Sequence, residues 1–424
     1  MIYIKIKMKK KKVNGILLLY HYPLHRKDAF TINEHIFSFG QNSKFDVWEL
    51  NTALGFDSHL KELEFDIIIL HYSLFGAGSY YDISDDFCNY IKEVSSYKIA
   101  FFQDEYRYCQ RRFKFINENN ISTIYTCLEK KYHHLVYGKY TNAKHIIHNL
   151  TGYVSEDLLG ISKKFSLPYE ERKIDIGYRA RRLEFYMGKG GQEKHLIGEK
   201  FLQIAEEKKI NLSLDIDVEE KNRLYGEEWH KFVGNCKSML GVESGVSVFD
   251  VEDEVTKEYE IMIKEKPNME FDEFYNKILY KYEDKIPLRT VSPRNFEAIA
   301  FGTIQILFEG NYADMLKADL HYIPLKKDFS NFDEVINKLE DKNYTNKIID
   351  TAFKDIIESG NYTYKKFIEE FDNHLYLLGF TAYKNTDYKK TRHILDKNVF
   401  IRKILKLTSY YFSRIKLRIY RYIK

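Results

Sequence analysis

The sequence has few cysteines and no long apolar run. Its four cysteines lie far apart and form no C-x-x-C pair or other metal-ligand spacing: Cys88, Cys109, Cys127 and Cys236. This pattern argues against a cysteine-bound metal and favours a reducing compartment. No stretch approaches the roughly 20 apolar residues that a membrane span requires. We therefore expect a cytoplasmic protein.

The sequence also lacks a strong excess of either charge. It has 66 basic and 62 acidic residues, for a formal net charge of +4. Such a balance gives no reason to expect nucleic acid as a partner. The opening segment MIYIKIKMKKKK is basic, but the apolar run that follows it, residues 16–19, is shorter than the ~7–15 residues of a signal-peptide core.

The basic residues that are in excess gather at the ends of the chain. Residues 391–424 form a basic tail, and from Lys397 onwards it has nine Lys or Arg and no Asp or Glu. Apolar residues such as Ile404 and Leu405 are interspersed with the charges. A basic amphipathic segment suits an anionic lipid surface, so we expect peripheral attachment at the inner face of the cell membrane. A solvated, weakly ordered terminus is the alternative.

Short apolar runs alternate with helix-like segments through the first part of the chain. Five runs have the character of buried strands: GILLLYHYP (15–23), DIIILHYS (66–73), KIAFFQDEY (98–106), STIYTCL (122–128) and AKHIIHNL (143–150). Polar or helix-like segments such as residues 83–94 separate them. Strands that alternate with helices predict a parallel, doubly wound sheet.

A second alternating series follows residues 151–172, which have the character of a linker. Its strands are DIGYR (175–179), NLSLDIDV (211–218) and CKSMLGVES (236–244), with a helix near residues 193–208. Residues 251–285 are highly charged, with apolar residues at helical spacing, and we interpret them as an insertion of surface helices.

The segment from Val291 to Leu325 is the most informative. Ser292 is suited to cap a helix whose first residue is Pro293, and Gly302 is suited to end it. The N-terminus of such a helix attracts phosphate, and a carboxylate one turn in can hold ribose hydroxyls. The sequence therefore predicts a nucleotide site at this helix.

This segment resembles a known family. SPRNFEAIAFGTIQILFEGNY is similar to the donor-binding segment of GT-B glycosyltransferases, in which an (R/K)xFEAxAxG pattern precedes a short strand. DIGYRARRLEFYMGKGGQEKHLIGEKF resembles the start of the C-terminal domain in a bacterial polysaccharide-biosynthesis branch of group 1-like glycosyl transferases. GEEWHKFVGNCKSMLGVESGVSVFD fits between them, so the resemblance covers residues 174–340. By this resemblance, the family's second glutamate would fall at Gln305.

The resemblance implies an α/β fold of the GT-B type, in which two doubly wound Rossmann-like domains face a cleft and C-terminal helices cross back to the first domain. We place the domains as follows: an acceptor domain at 1–165, a nucleotide-sugar domain at 166–345 with its helical insertion at 251–285, crossing helices at 346–390, and the tail at 391–424.

The expected donor site combines the predicted helix with the start of the second domain. Glu297 would hold the ribose, and Arg294 and Ser292, with Asn295 beside them, would lie near the phosphates or the base. The alternative for Glu297 is an exposed helix glutamate with no role in binding, and the alternative for Ser292 is an ordinary helix cap.

By resemblance, basic residues near the first strand of the second domain contact the diphosphate. We expect Arg179 and Lys194 in this role, with Lys189 as a competitor and Arg182 close by. A solvated loop is the alternative for such a run of arginines, and the glycines at 188, 190 and 191 are explained equally well by a turn.

A second anion site is predicted at residues 243–247. The N–H groups and hydroxyls around Ser244 and Gly245 could form an anion-binding nest. A plain strand-to-helix turn is the alternative.

On the acceptor side, polar residues end two strands of the first domain. Ligands of open parallel sheets bind beyond the carboxyl ends of strands. Asp104 or Glu105 is the predicted base if the enzyme inverts, and His71 could serve instead. A structural hydrogen bond is the alternative for His71.

Asp215 and Asp217 form a D-x-D triplet, the pattern that holds a divalent ion in GT-A glycosyltransferases. The apolar alternation around it indicates a strand, and the flanking blocks favour GT-B, so we expect no metal and no cofactor other than the nucleotide-sugar substrate.

The function these observations favour is glycosyl transfer from a nucleotide sugar to a glycan or lipid-linked acceptor in bacterial surface polysaccharide synthesis, with retention implied by the resemblance alone. Two alternatives stay open. One is a non-catalytic GT-B-like protein that binds a nucleotide or sugar, favoured by Gln305. The other is a nucleotide-sugar epimerase on a similar scaffold.

Overall fold

Two parallel β-sheets, one in each half of the chain, organise the structure, which is a computed structural model. It describes residues 11–24, 30–75, 83–383, 387–408 and 412. Residues 413–424 of the basic tail lie outside this range.

The first sheet has six strands in the order β2-β1-β3-β4-β5-β6, all parallel. Its strands are β1 (Lys11–Tyr20), β2 (Val47–Asn51), β3 (Leu63–Leu70), β4 (Tyr97–Phe101), β5 (Thr123–Thr126) and β6 (His145–His148). Its helices are α1 (Phe30–Asn42), α2 (Asp85–Glu93) and α3 (Cys109–Glu118). The five strands predicted from the sequence are confirmed, and β2 was missed.

Both faces of this sheet are buried, which explains why its strands are continuous apolar runs rather than alternating ones. In β1, Leu17 and Leu19 pack into one apolar cluster, whereas Ile16 and Leu18 pack into another on the opposite face.

The second sheet has five parallel strands in the order β13-β12-β9-β7-β8, and β10 and β11 form a separate antiparallel pair. The strands are β7 (Ile174–Arg179), β8 (Leu214–Asp217), β9 (Cys236–Gly241), β10 (Ser244–Val246), β11 (Leu288–Thr290), β12 (Ile304–Phe308) and β13 (Ile323–Leu325). The helices are α4 (Leu158–Phe165), α5 (Gly188–Glu207), α6 (Gly226–Asn235), α7 (Glu254–Glu265), α8 (Phe271–Lys277), α9 (Pro293–Ala300) and α10 (Phe332–Glu340).

Two helices late in the chain, α12 (Tyr364–Leu377) and α13 (Tyr388–Asp396), return to the first sheet. The helix before them, α11 (Lys342–Ala352), packs against α10 and β12 of the second sheet. Phe367 and Phe371 of α12 pack edge-on against Phe39 of α1, at ring-centroid distances of 5.8 and 5.2 Å. Two doubly wound α/β units whose C-terminal helices return to the first unit confirm the predicted GT-B fold class.

The insertion differs from its prediction as a set of surface helices. Val255, Met262 and Phe274 are buried in the same apolar cluster as Phe113 of α3 in the first domain. The charged residues of the insertion face solvent, and its apolar stripe packs against both halves of the chain. Because a charged composition describes only the outer face of a helix, it concealed this contact.

Candidate functional site

A cavity of about 340 Å³ opens where the carboxyl ends of the two sheets face each other. The first domain contributes Asp104 and Tyr106, which follow β4, and the second domain supplies the other lining residues. Its polar lining from the second domain is Tyr178, Arg181, Lys194, Arg223, Glu243, Ser244, Ser292, Arg294, Asn295 and Gln305. Open α/β sheets bind their ligands at this edge, and the volume is that of a small-molecule site.

The N-terminus of α9 forms one wall of the cavity. The Ser292 hydroxyl accepts a hydrogen bond from the Arg294 amide at 3.3 Å, and the Asn295 side chain accepts one from the Ser292 amide at 2.8 Å. Pro293 occupies the first helical position, as predicted, and Gly302 follows the helix at a φ of 60°. This reciprocal capping fixes the first turn of the helix at the cavity.

Cationic side chains outnumber carboxylates in the lining. Arg181, Lys194, Arg223 and Arg294 stand against Asp104 and Glu243. Glu243 is already neutralised by Arg289, whose guanidinium lies 3.0 Å from its carboxylate. Arg181 and Arg223 share a partner in Glu220, at 3.6 and 3.1 Å. The positive charge that the cavity offers a ligand therefore rests mainly on Lys194 and Arg294.

Two of these cations are held in place by the backbone. Lys194 Nζ donates to the carbonyl of Gly245 at 3.2 Å, and burial lowers the pKa of Lys194 while Asp104 raises it. Arg294 Nη1 donates to the carbonyl of Arg179 at 2.6 Å, and its guanidinium lies 4.5 Å from the ring centroid of Trp229. Both charges are thus oriented before any ligand arrives.

Asp104 closes the cavity from the first domain. Its backbone has a φ of 51°, the left-handed region that aspartate tolerates better than most residues. Burial in the cleft raises the pKa of its carboxyl, and the charges of Lys194, Arg181 and Arg107 oppose that rise.

The neighbouring Glu105, the other predicted base, faces the core instead. It is buried and accepts hydrogen bonds from the Cys127 amide at 2.8 Å, from the Thr126 hydroxyl at 2.7 Å and from the Tyr137 hydroxyl. These bonds occupy its oxygens, so Glu105 is a structural carboxylate, and Asp104 is the one of the two that lines the cavity.

Three of the basic residues predicted for the diphosphate lie outside the lining. The Arg179 guanidinium is paired with Asp215 at 2.7 Å. Arg182 bonds Glu199 on α5. Lys189 Nζ lies 4.4 Å from the ring centroid of Tyr275 in the insertion. The cation that β7 brings to the cavity is Arg181.

His71 also lies away from the cavity. It is fully buried, with Nε2 3.0 Å from His35 Nδ1 and Nδ1 2.9 Å from the Ser73 hydroxyl. Burial and the neighbouring His35 hold the pKa of His71 well below its ordinary value. Its contacts are those of a structural hydrogen-bonding residue.

Glu297 lies one turn into α9, beside Arg294 and behind the cavity wall. Its carboxylate accepts a hydrogen bond from Trp229 Nε1 at 2.7 Å. Burial raises its pKa to about 7, although the bond from Trp229 and the charge of Arg294 lower it. Glu297 is therefore not the solvent-exposed helix residue that the alternative interpretation expected.

Ser244 and Gly245, where an anion-binding nest is predicted, belong to β10, which pairs antiparallel with β11. Ser244 still lines the cavity. Gly245 has a φ of 95°, and a Cβ there would lie 1.9 Å from the carbonyl oxygen of Leu288. The glycine is therefore explained by close strand pairing.

The two aspartates of the D-x-D triplet are bonded to other residues of the chain. Asp215 pairs with Arg179, and Asp217 accepts hydrogen bonds from the Glu219 amide at 2.8 Å and the Asn222 side chain at 2.7 Å. Within the residues that the structure describes, no group of three or more His, Cys, Asp or Glu side chains is arranged to hold a metal ion.

Sequence reasoning did not name Tyr106, Tyr178 or Arg223 of the lining, and it named Gln305 only as the position of the family's second glutamate. This residue is buried in β12 and accepts a hydrogen bond from Asn295 at 2.6 Å, while its own amide nitrogen has no hydrogen-bond partner. A polar residue between Ile304 and Ile306 was the available signal, because a buried strand has no other reason to carry an amide. Tyr106, Tyr178 and Arg223 gave no comparable signal.

Comparison with known proteins finds similarity only at the level of structure. No protein-family model and no curated protein matches the chain. Similar solved structures include an alpha-glucosyltransferase in complex with UDP, at 10% identity and a TM-score of 0.49, covering 85% of this chain and 98% of that one. Anabaena Alr3699/HepE in complex with UDP and glucose is 9% identical, with a TM-score of 0.45 and coverages of 85% and 99%. A glycosyltransferase from Rickettsia africae ESF-5 is 10% identical, with a TM-score of 0.46 and coverages of 88% and 100%.

Proposed function

We propose that the protein transfers a sugar from a nucleotide-sugar donor to a glycan or lipid-linked acceptor. One observation carries the proposal: the capped N-terminus of α9 and the side chains of Lys194 and Arg294 open into a single cavity, which Asp104 closes from the other domain. A helix N-terminus and fixed cations are the groups that hold a diphosphate.

The chemistry of the proposed reaction explains the charge of the cavity. When the bond between the sugar and the diphosphate breaks, negative charge builds on the departing diphosphate. Donors that are already oriented lower the barrier, because they need no reorganisation as the charge develops. In this proposal Arg181, Lys194 and Arg294 bind the diphosphate. The ribose-binding role of Glu297 stays a prediction, because its carboxylate lies behind the cavity wall and is bonded to Trp229.

Asp104 is the proposed group on the acceptor side. It reaches the cavity from the domain opposite the diphosphate site. Its raised pKa brings it closer to the range in which a carboxylate can take a proton from an acceptor hydroxyl. This role applies to an inverting reaction, whereas retention of configuration is implied by the sequence resemblance alone. Independence of metal ions and a role in bacterial surface polysaccharide synthesis likewise rest on that resemblance.

The first test is nucleotide binding. Similar structures contain UDP, which makes it the natural first probe. In a calorimetric titration, Lys194→Met and Arg294→Met should each weaken UDP binding by about tenfold or more, the equivalent of one charge-assisted hydrogen bond. Lys200→Met, at an exposed position on the same helix α5, is the matched control. Wild-type affinity in both cavity variants would overturn the proposal.

A turnover assay distinguishes glycosyl transfer from binding without catalysis and from epimerisation. A panel of radiolabelled nucleotide sugars with glycan and lipid-linked acceptors should give labelled product, and EDTA should leave the rate unchanged. DNA belongs among the acceptors, because DNA is present in some of the similar structures. We expect no label on the DNA, since the near-zero net charge of the chain gives no reason for nucleic-acid binding.

A second candidate function is binding without catalysis, which Gln305 favours because it stands where the resemblance expects a glutamate. UDP binding with no turnover of any donor would support it. Interconversion of free nucleotide sugars in the absence of an acceptor would instead support an epimerase.

A further inference from the structure

The helix formed by residues 399–408, which we call the tail helix, turns a charged side chain towards the protein and apolar side chains towards solvent. Arg402, a charged residue, faces the protein: Nη1 donates to the Gly55 carbonyl at 3.0 Å, and Nη2 lies 3.5 Å from the Asp57 carboxylate. The side chain of Arg402 is only 16% exposed. Phe400 and Leu405, in contrast, are 75% and 62% exposed.

The outward face of the tail helix is a continuous apolar stripe. Phe400, Ile401, Ile404 and Leu405 are spaced one, four and five residues apart, which places them on one side of an α-helix. All four are exposed. A helix that packs on a soluble domain normally turns such a stripe inward. Because this one turns it outward, the stripe requires a partner.

The charges beside the stripe identify the chemistry of that partner. Lys397, Lys403 and Lys406 are exposed on the tail helix or just before it. The sequence from Lys397 to the last residue contains nine Lys or Arg and no Asp or Glu. A second copy of the chain would bring the same lysines against these three, whereas an anionic surface complements them.

The described part of the tail helix carries its apolar stripe on one side only, which suits a position in the plane of a membrane interface. In the described part of the chain, no helix is long and apolar enough to cross a membrane. We propose that the stripe inserts into the surface of a bilayer that contains anionic phospholipids, with the flanking lysines at the headgroups.

Vesicle binding by the full chain tests this proposal. The protein should sediment with phosphatidylcholine vesicles that contain about a third phosphatidylglycerol, less well with phosphatidylcholine alone, and less well in high salt. The double variant Phe400→Ser/Leu405→Ser should bind about tenfold more weakly or worse. Its matched control is Leu377→Ser/Tyr383→Ser, which removes two apolar residues that are 86% and 60% exposed elsewhere.

A charge variant completes the design. Lys397→Glu/Lys403→Glu should lose the preference for anionic vesicles, and circular dichroism should match the wild type because both side chains are exposed. Equal binding of the wild type to neutral and anionic vesicles would overturn the proposal. So would a lipid-independent oligomer that Phe400→Ser/Leu405→Ser abolishes, since the stripe would then cover a second copy. UDP affinity in these variants should stay at the wild-type value.

Discussion

The carboxylate of Asp253 accepts a hydrogen bond from the backbone amide of Cys109 at 2.6 Å, and so caps a helix of the first domain from the second. Its other oxygen accepts from the amide of Gln110 at 3.0 Å. The Asp250 amide adds a bond of 2.8 Å to the carbonyl of Tyr106, which lines the cavity. The insertion therefore holds the segment that carries Asp104 against the nucleotide-binding half.

Removal of this cap should destabilise the protein. In Asp253→Ala, the first amides of α3 lose their partner, and we expect the free energy of unfolding to fall by about 1 kcal/mol. Urea denaturation measures the change. Glu258→Ala, which removes an exposed acidic residue from the same insertion, serves as the control. Equal stability of the two variants would show that the cap contributes nothing.

The buried Arg172 anchors the far end of α9. Its guanidinium donates to the carbonyls of Phe301 at 2.7 Å and Gly302 at 3.1 Å, and to the carbonyl of Cys236 at 3.0 Å. In Arg172→Met these carbonyls lose a charged donor, and we expect a loss of about 3 kcal/mol in the free energy of unfolding. Lys173→Met, at the exposed neighbouring position, should leave the urea midpoint unchanged.

Glu297 should make stability depend on pH. Its pKa is raised from 4.5 to about 7 by burial, so the folded protein binds a proton that the unfolded chain has released. The stability that this proton confers is complete below pH ~4.5 and is lost as pH rises through 7, a change of about 3 kcal/mol. Glu297→Gln keeps an acceptor for Trp229 and should flatten the profile of unfolding free energy against pH.

The same experiment needs a control glutamate at an exposed position. Glu228→Gln, at an exposed position near Trp229, should keep the wild-type slope between pH 5 and 8. If Glu297→Gln also keeps that slope, the buried carboxyl is not the source of the pH dependence.

Gly245→Ala should affect both stability and binding. A Cβ at this position would lie 1.9 Å from the Leu288 carbonyl oxygen, so β10 must shift, and with it the carbonyl that holds Lys194. We expect a loss of about 3 kcal/mol and weaker UDP binding. Gly360→Ala is the control, because Gly360 has a φ of 71° but open space around it. It should cost about 1 kcal/mol and leave UDP affinity intact.

The capped helix and most strands followed from the sequence because their signals are local. Ser292 and Pro293 satisfy or remove orphan amides wherever the helix lies, and runs such as that of β3 are apolar enough to require burial on both faces. The strand β2 was missed because its five residues include Glu49 and Asn51. An edge strand tolerates such residues, and no local pattern distinguishes it from a loop.

The side chains that meet in the cavity were harder to predict, because each depends on the direction in which a backbone presents it. Among three closely spaced arginines, Arg181 faces the cavity, whereas Arg179 turns back to Asp215 and Arg182 turns to Glu199. Likewise, the glycines after Met187 lie in the first turn of α5, where Gly190 allows Ser247 to approach closely. Sequence spacing gives the residue type but not these orientations.

The chain passes between the halves twice, and the two passages lie side by side: the amide of Val154 donates to the carbonyl of Tyr362 at 2.8 Å, and that of Tyr364 to the carbonyl of Val154 at 3.1 Å. Because these two connections are hydrogen-bonded to each other, they form one joint between the halves. A rotation that widens the cleft must either release Asp253 from Cys109 or carry the insertion along with the first domain. The bonds of the Asp253 carboxylate to the amides of Cys109 and Gln110 therefore resist separation of the two halves at the cleft.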